Sequence, residues 1–191
     1  PLLTPLALDI SHPFHFISNN SLNLAVRMKN EDDTILYARV KVPVGILPRF
    51  LRIPSEGKAN DFVLLENIIK DHVSALFPGL KILGVYKFRI TRNADVKVTI
   101  DEAADLMTAV ESAMDSRDQG FPVRMVVEDT MPDDLVRVFS KNLKLKDNQV
   151  TRASGKGMML TDLWELYGLN EPGLKYKPFV PRLPAEITEK I

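Results

Sequence analysis

Cysteine is absent from this sequence of 191 residues, which excludes a disulfide framework and any metal site built on thiolates. Net charge is absent as well: 25 basic side chains balance 25 acidic ones, whereas a dedicated nucleic-acid-binding domain is usually basic. No apolar run approaches the roughly 18 residues of a membrane helix, and the opening residues lack the basic segment of a signal peptide. The composition, 45% hydrophobic and 26% charged, is typical of one globular domain of about 150–200 residues.

Alternating apolar and polar residues near the N-terminus predict a β-hairpin. The alternation runs through 22–29 and again through 35–42, and the polar residues 30–33 separate the two runs. Further strands are predicted where short apolar or alternating stretches occur, at 50–53, 62–64, 81–92, 123–128 and 148–152.

Four segments have the apolar spacing of helices. They are 65–76, which Pro78-Gly79 ends; 99–119, which opens with a capping box at Thr99 and Glu102; a helix that begins at Pro132; and a helix that begins at Thr161. Together with the strands they predict an α+β fold: a mixed or antiparallel sheet with an N-terminal hairpin and about four helices packed on it. Residues 170–191 contain four prolines and little periodicity, which indicates an extended tail or linker.

No catalytic constellation is visible in the sequence, and we assign no catalytic or metal-ligating residue. His12 and His15 flank Pro13, so no helix can present them on one face, and no acidic or cysteine ligand follows at metal-site spacing. His72 falls within the apolar stripe of the first predicted helix, which favours a partly buried structural histidine over a general base. The glycine-rich residues 154–157 lack the spacing of a phosphate-binding loop.

Basic residues cluster along the chain although the total charge is zero. Segments 35–54 and 81–97 are rich in arginine and lysine, and they supply the candidate polyanion-binding residues Arg39, Arg49, Arg52, Arg89 and Arg92. Ordinary solvated surface charge explains the same pattern. For Arg89 and Arg92 a third interpretation is that they order the end of a strand by pairing with Asp95, because guanidinium forks bind carboxylate and phosphate with the same geometry.

Several stretches resemble the polyphosphate kinases in sequence and in order. The most specific is Phe-Arg-Ile-Thr-Arg-Asn-Ala-Asp at 88–95. The others are Ala-Leu-Asp-Ile-Ser-His-Pro-Phe at 7–14, Arg-Val-Lys-Val-Pro at 39–43, Leu-Pro-Arg-Phe at 47–50, Phe-Val-Leu-Leu-Glu at 62–66, Leu-Phe-Pro-Gly at 76–79, Val-Arg-Met-Val-Val-Glu at 123–128 and Leu-Lys-Tyr-Lys-Pro-Phe-Val-Pro at 174–181. The resemblance covers the middle, or head, domain of that family. It implies a domain at 1–176 and a linker at 177–191 that leads toward phospholipase-D-like catalytic domains.

The resemblance implies a cytoplasmic transferase that moves the terminal phosphate of ATP to a growing polyphosphate chain through a phosphohistidine. In the family that histidine lies in the later domains, so His12, His15 and His72 are not candidates, and the isolated domain is expected to be inactive. The parent enzyme would use ATP and magnesium, form a homo-oligomer through this domain, bind no nucleic acid and have no transmembrane segment; a peripheral membrane location stays open. The alternative interpretations are a non-catalytic binding or assembly module of another protein, and an RNA-binding module, which the neutral charge disfavours.

Overall fold

The computed structural model describes residues 2–8, 14–54, 60–93, 120–153 and 160–181. The strands in these ranges are β1 (Pro5–Leu8), β2 (Leu22–Lys29), β3 (Ile35–Lys41), β4 (Phe50–Arg52), β5 (Phe62–Leu64), β6 (Lys81–Arg92), β7 (Pro122–Glu128) and β8 (Val150–Ala153). The α-helices are α1 (Leu65–Asp71), α2 (Asp133–Leu143) and α3 (Trp164–Tyr167), and short 3-10 turns occupy Val73–Leu76, Asp147–Gln149, Leu160–Leu163 and Pro172–Leu174.

Six strands form one mixed sheet in the order β1-β3-β2-β6-β7-β8, and β4 and β5 form a small separate sheet. All neighbours in the large sheet are antiparallel except β7 and β8, which run parallel because the chain returns through α2 between them. The predicted hairpin is confirmed as β2 and β3, and the mixed sheet of the predicted α+β fold is confirmed as well. β1, which pairs with β3 at the sheet edge, was not predicted.

The sheet carries an apolar core on each face. On one face, α2 packs Leu135 and Phe139 against Phe88, Ile90 and Met125, with the rings of Phe88 and Phe139 meeting edge to face at 4.7 Å. On the other face, α1 and the turn after it pack against the even-numbered side chains of β2 and their neighbours. β2 is therefore buried on both faces, and its period-two alternation assigns side chains to the two cores.

The predicted helices differ in outcome. The first ends as α1 at Asp71 and continues as a 3-10 turn to Leu76, where Gly79, with φ of 76°, reverses the chain. α2 begins after Pro132, as predicted, and has two acids in its first turn. The helix predicted at 99–119, the loop at 154–157 and the linker beyond residue 181 lie outside the described residues.

The C-terminal part of the described chain is exposed. α3 has only four residues, and 175–181 has no regular secondary structure. The predicted boundary between 176 and 177 stays a prediction. Within the described ranges, no helix has both the length and the apolar character that crossing a membrane would require.

Candidate functional site

Arg49, which lies just before β4, is the centre of a buried group of ion pairs. Its Nη2 donates to Glu66 Oε1 at 2.6 Å, its Nε donates to the same oxygen at 3.2 Å, and its Nη1 donates to Asp162 Oδ2 at 3.2 Å. The side chains of Arg49 and Glu66 are 3% and 0% exposed. Removing two charges from water is costly unless they pair with good geometry, so this bidentate pair fixes the start of β4 to α1.

Glu165 of α3 binds the backbone next to this ion pair. Its Oε2 accepts hydrogen bonds from the N–H groups of Arg49 and Phe50 at 3.0 and 3.2 Å. Further along, Asn60 Nδ2 donates to Glu171 Oε1 at 2.5 Å. Polar contacts from Asp162, Glu165 and Glu171 thus attach the C-terminal segment to the small sheet.

More basic side chains surround this group on the same face of the large sheet. Lys87 Nζ donates to Asn67 Oδ1 at 3.1 Å and lies 4.0 Å from Glu66 Oε1. Two residues further along β6, burial lowers the pKa of Arg89, and the positive charges of Arg124 and Arg49 lower it further, while Asp162 opposes them. Arg49 and Arg89 therefore share one electrostatic environment.

The pKa of Asp162 shifts in the opposite direction. Burial raises the pKa of its carboxyl group above the ordinary aspartate value; the charge and hydrogen bond of Arg49 lower it, and Glu165 and Glu66 raise it further. The net direction is upward, so desolvation together with the two neighbouring carboxylates outweighs the attraction to Arg49.

Arg39 and Arg92 lie on the opposite face of the sheet, where they hold the N-terminal segment. Arg39 Nη1 donates to the carbonyl of Phe16 at 2.9 Å. Arg92 Nε donates to the carbonyl of Ile17 at 2.7 Å, Nη1 donates to that of Gly120 at 2.8 Å, and its guanidinium lies 4.2 Å from the ring centroid of Phe16. Burial lowers the pKa of both arginines.

The five arginines chosen from the sequence thus occupy three places. Arg49 and Arg89 lie on the α1 face, Arg39 and Arg92 lie on the α2 face, and Arg52 is exposed, with its Nη2 2.6 Å from Asn60 Oδ1. They do not line one common surface, and their binding of a polyanion stays a prediction. Arg92 does order the strand end, but through backbone carbonyls; Asp95 lies outside the described residues.

The described histidines have no catalytic surroundings. His15 and His72 are exposed, and His12 lies outside the described residues. The expectation that His72 is partly buried is wrong, because α1 ends at Asp71 and the next residue turns to solvent, with Nδ1 3.0 Å from the carbonyl of Ile68. Within the ranges that the structure describes, no three His, Cys, Asp or Glu side chains group as metal ligands.

Sequence reasoning missed the acidic half of the ion-pair group. Glu66 gave a usable signal, because a single acid within the apolar stretch 62–69 must either be exposed or be paired. Asp162 and Glu165 gave none, since they are more than a hundred positions from Arg49 in the chain.

Comparison with known proteins places these features in a family. The family model for the polyphosphate kinase middle domain matches residues 1–166. The polyphosphate kinase of Mycolicibacterium gilvum is 40% identical over 194 residues, covering 100% of this chain and 26% of that protein. Polyphosphate kinase 1 of Chlorobaculum tepidum is 40% identical over 188 residues, covering 95% of this chain and 27% of that protein.

A solved structure agrees with the sequence relatives. The crystal structure of polyphosphate kinase from Porphyromonas gingivalis matches with a TM-score of 0.68 and 26% identity, covering 100% of this chain and 26% of that one. The chain thus spans about a quarter of the length of these relatives. The motif resemblance noted in the sequence is confirmed: the chain belongs to the polyphosphate kinase family, as its middle domain.

Proposed function

We propose that this domain works within a longer polyphosphate kinase, as the names of its relatives indicate. The enzyme would transfer the terminal phosphate of ATP to a growing polyphosphate chain through a phosphohistidine that lies outside these 191 residues. ATP and magnesium would bind in that other part, and the cytoplasm as location belongs to the same proposal. The domain itself would contribute architecture and subunit contact.

The observation that supports this role is that buried charged side chains bind other segments of the same chain. Arg49 pairs with carboxylates of Glu66 and Asp162, and Arg39 and Arg92 donate to backbone carbonyls, so these groups join distant segments of the chain. A transfer site would instead direct such groups toward a reacting phosphate. The proposed role is therefore to hold a rigid scaffold.

Exposed apolar side chains support the proposed subunit contact. The C-terminal part of the described chain exposes large apolar residues close together in sequence, namely Leu160, Leu163, Trp164, Tyr167, Leu174, Tyr176, Phe179 and Val180. Near the N-terminus Phe16 is exposed as well, whereas Ile17 is fully buried and Phe14 packs against Phe139. Exposed groups of this kind mark surfaces that bind other protein.

A transfer assay tests the catalytic part of the proposal. The chain of 191 residues, incubated with labelled ATP, magnesium and a polyphosphate primer, should form neither polyphosphate nor an acid-labile phosphoprotein. A longer protein that contains this domain and the proposed catalytic domains should form both. Phosphorylation of His12, His15 or His72 in the short chain would contradict the assignment.

Sedimentation of the longer enzyme tests the subunit contact. Phe179→Ser should weaken its self-association, because this side chain is 87% exposed in the separate domain. Phe121→Ser is the matched control, since Phe121 is 66% exposed but lies in another part of the chain. Equal association of both variants and the wild type would exclude the C-terminal segment as the contact.

A further inference from the structure

Residues 160–174, which contain α3 and two 3-10 turns, rest on the small sheet of β4 and β5, and we call them the strap. Carboxylates make the contacts at the start of the strap. Asp162 Oδ2 accepts a hydrogen bond from Arg49 Nη1 at 3.2 Å. Glu165 Oε2 accepts hydrogen bonds from the backbone N–H groups of Arg49 and Phe50 at 3.0 and 3.2 Å. These contacts fix one end of the strap to the start of β4.

The other end of the strap is held by Glu171, whose Oε1 accepts a hydrogen bond from Asn60 Nδ2 at 2.5 Å. Between the two ends a groove of about 740 Å³ separates the strap from β5, and none of the strap residues is buried. The apolar side chains that line this groove are Phe62, Leu163, Leu166, Tyr167, Leu169 and Leu174. Side chains that border a groove lose packing contacts on that side, so apolar packing contributes little to holding the strap.

Detaching the strap would not leave a buried charge without a partner. When Asp162 leaves, the guanidinium of Arg49 still pairs with Glu66 through the bond of 2.6 Å, and both of these residues lie outside the strap. Breaking a buried ion pair is costly chiefly because one charge remains uncompensated, and that condition is not met here. Asp162 itself would regain hydration, since burial and the carboxylates of Glu165 and Glu66 raise its pKa in spite of Arg49.

We propose that the strap detaches from the small sheet as one unit while the six-stranded sheet stays folded, and that it acts as a hinge for the chain that follows. Segments with few buried apolar contacts open locally, at a free energy below that of global unfolding. The backbone hydrogen bonds from Gly168 to Trp164 and from Leu174 to Glu171 run within the strap, so it keeps its own turns when it moves. Strand β2, buried on both faces, opens only when the whole domain unfolds.

The position of the strap determines where the following chain starts. The chain leaves the strap through 175–181, which has no regular secondary structure and leaves Tyr176 and Phe179 largely exposed. A change at the strap is therefore passed directly to whatever is attached beyond it. That the attached part carries the catalytic domains rests on the proposed function, whereas the detachment of the strap does not.

Amide hydrogen exchange, measured by NMR in the chain of 191 residues, tests the detachment. The backbone N–H of Arg49 binds Glu165 and reports on the strap, whereas that of Val26, in the central strand, reports on global unfolding. Relative to its intrinsic rate, the Arg49 amide should exchange about a hundredfold faster than the Val26 amide, and low urea concentrations should not change its rate. Equal protection of the two amides, with the same dependence on urea, would overturn the proposal.

A charge-removing variant shows whether the strap controls this exchange. Glu165→Gln should speed exchange at the Arg49 amide about tenfold, because a neutral amide oxygen is a weaker acceptor than a carboxylate. Glu31→Gln is the matched control, since it makes the same change at an exposed position of the turn between β2 and β3. Equal exchange in both variants and the wild type would mean that the small sheet opens without the strap, which would refute the hinge.

Locking the strap gives the converse measurement, and the absence of cysteine makes it specific. The side chains of Asn60 and Glu171 already meet, so Asn60→Cys and Glu171→Cys can be joined by a short bis-maleimide. The locked chain should lose the fast exchange at Arg49, whereas each single-cysteine variant treated with the same reagent should keep it. Fast exchange in the locked chain would show that the strap is not the moving element.

The same lock in a longer enzyme separates the hinge from the proposed function. Locking should lower the rate of polyphosphate formation about threefold or more relative to the single-cysteine controls, because hinge motions limit turnover in many enzymes. An unchanged rate would overturn the hinge role. If the unlocked longer enzyme forms no polyphosphate, the proposed function fails, and the exchange rates still decide whether the strap detaches.

Discussion

Replacing Glu66 by glutamine should destabilise the domain more than any exposed ion-pair substitution. The change removes one charge from a pair whose side chains are 3% and 0% exposed, and it leaves the ion pair between Arg49 and Asp162 in place. Breaking a buried pair from one side costs about 3–5 kcal/mol. Because Asp162 stays in place, we expect the lower end, about 3 kcal/mol. Lys87, 4.0 Å from Glu66, loses a neighbouring negative charge as well.

Thermal and urea unfolding followed by circular dichroism measure this loss. At about 2–4 °C per kcal/mol for a domain of this size, Glu66→Gln should lower Tm by about 6–12 °C. Asp133→Asn is the matched control, since it also replaces a carboxylate by an amide in an ion pair. Asp133 pairs with Arg152, and the Asp133 side chain is 81% exposed. Exposed pairs contribute about 0–1 kcal/mol. If both variants unfold at the same temperature, the buried pair does not hold this fold together.

Three other substitutions probe the ion pairs around Arg49 and the strand end that Arg92 holds. Since burial raises the pKa of Asp162, the folded state binds the proton of this carboxyl group more tightly than the unfolded state does. The stability of the wild type relative to Asp162→Asn should therefore rise as the pH falls through the acidic range just above the ordinary aspartate pKa. Urea titrations of both proteins from pH 7 to pH 4 measure this difference in stability, and a falling or constant difference would contradict the reasoning. Arg92→Ala should cost about 1–3 kcal/mol in the same assay, because two carbonyl groups lose their donor, and a wild-type midpoint would contradict that role. Glu165→Gln should speed limited proteolysis within 160–167 and leave global unfolding nearly unchanged, because it weakens two hydrogen bonds at a peripheral segment; unchanged cleavage would mean that other contacts hold α3.

The parts of the fold that the sequence predicts are those determined by neighbours in the chain. The hairpin of β2 and β3 follows from alternation and a polar turn, and α2 follows from its apolar spacing and its acids after Pro132. β1 was missed because four residues that begin with a proline show no periodicity, and only pairing with β3 makes them a strand. The parallel pairing of β7 with β8 is a tertiary choice, so the sequence left its direction open.

The candidate site shows the same limit for side chains. The three-residue spacing of Arg89 and Arg92 along β6 places them on opposite faces, because alternation is a local property. Local spacing does not reveal the partners of the arginines. The carbonyl of Ile17 is 75 positions from Arg92, and Asp162 is 113 positions from Arg49. Residue type alone also allows an arginine to bind carboxylate, carbonyl or phosphate, so the role of each is decided by packing.

Strand β2 pairs with β3 on one side and β6 on the other, and these two strands are synthesised at different times. β3 emerges directly after it and closes one edge of the ladder, but β6 begins only at Lys81, whereas β2 ends at Lys29. Until then the nascent hairpin shows an open edge and the uncovered apolar face of Leu22, Leu24, Val26 and Met28, a combination that favours pairing with other chains. Translation pauses or chaperone capture between the synthesis of β2 and that of β6 would therefore influence the yield of folded protein more than pauses or capture after β6 has emerged.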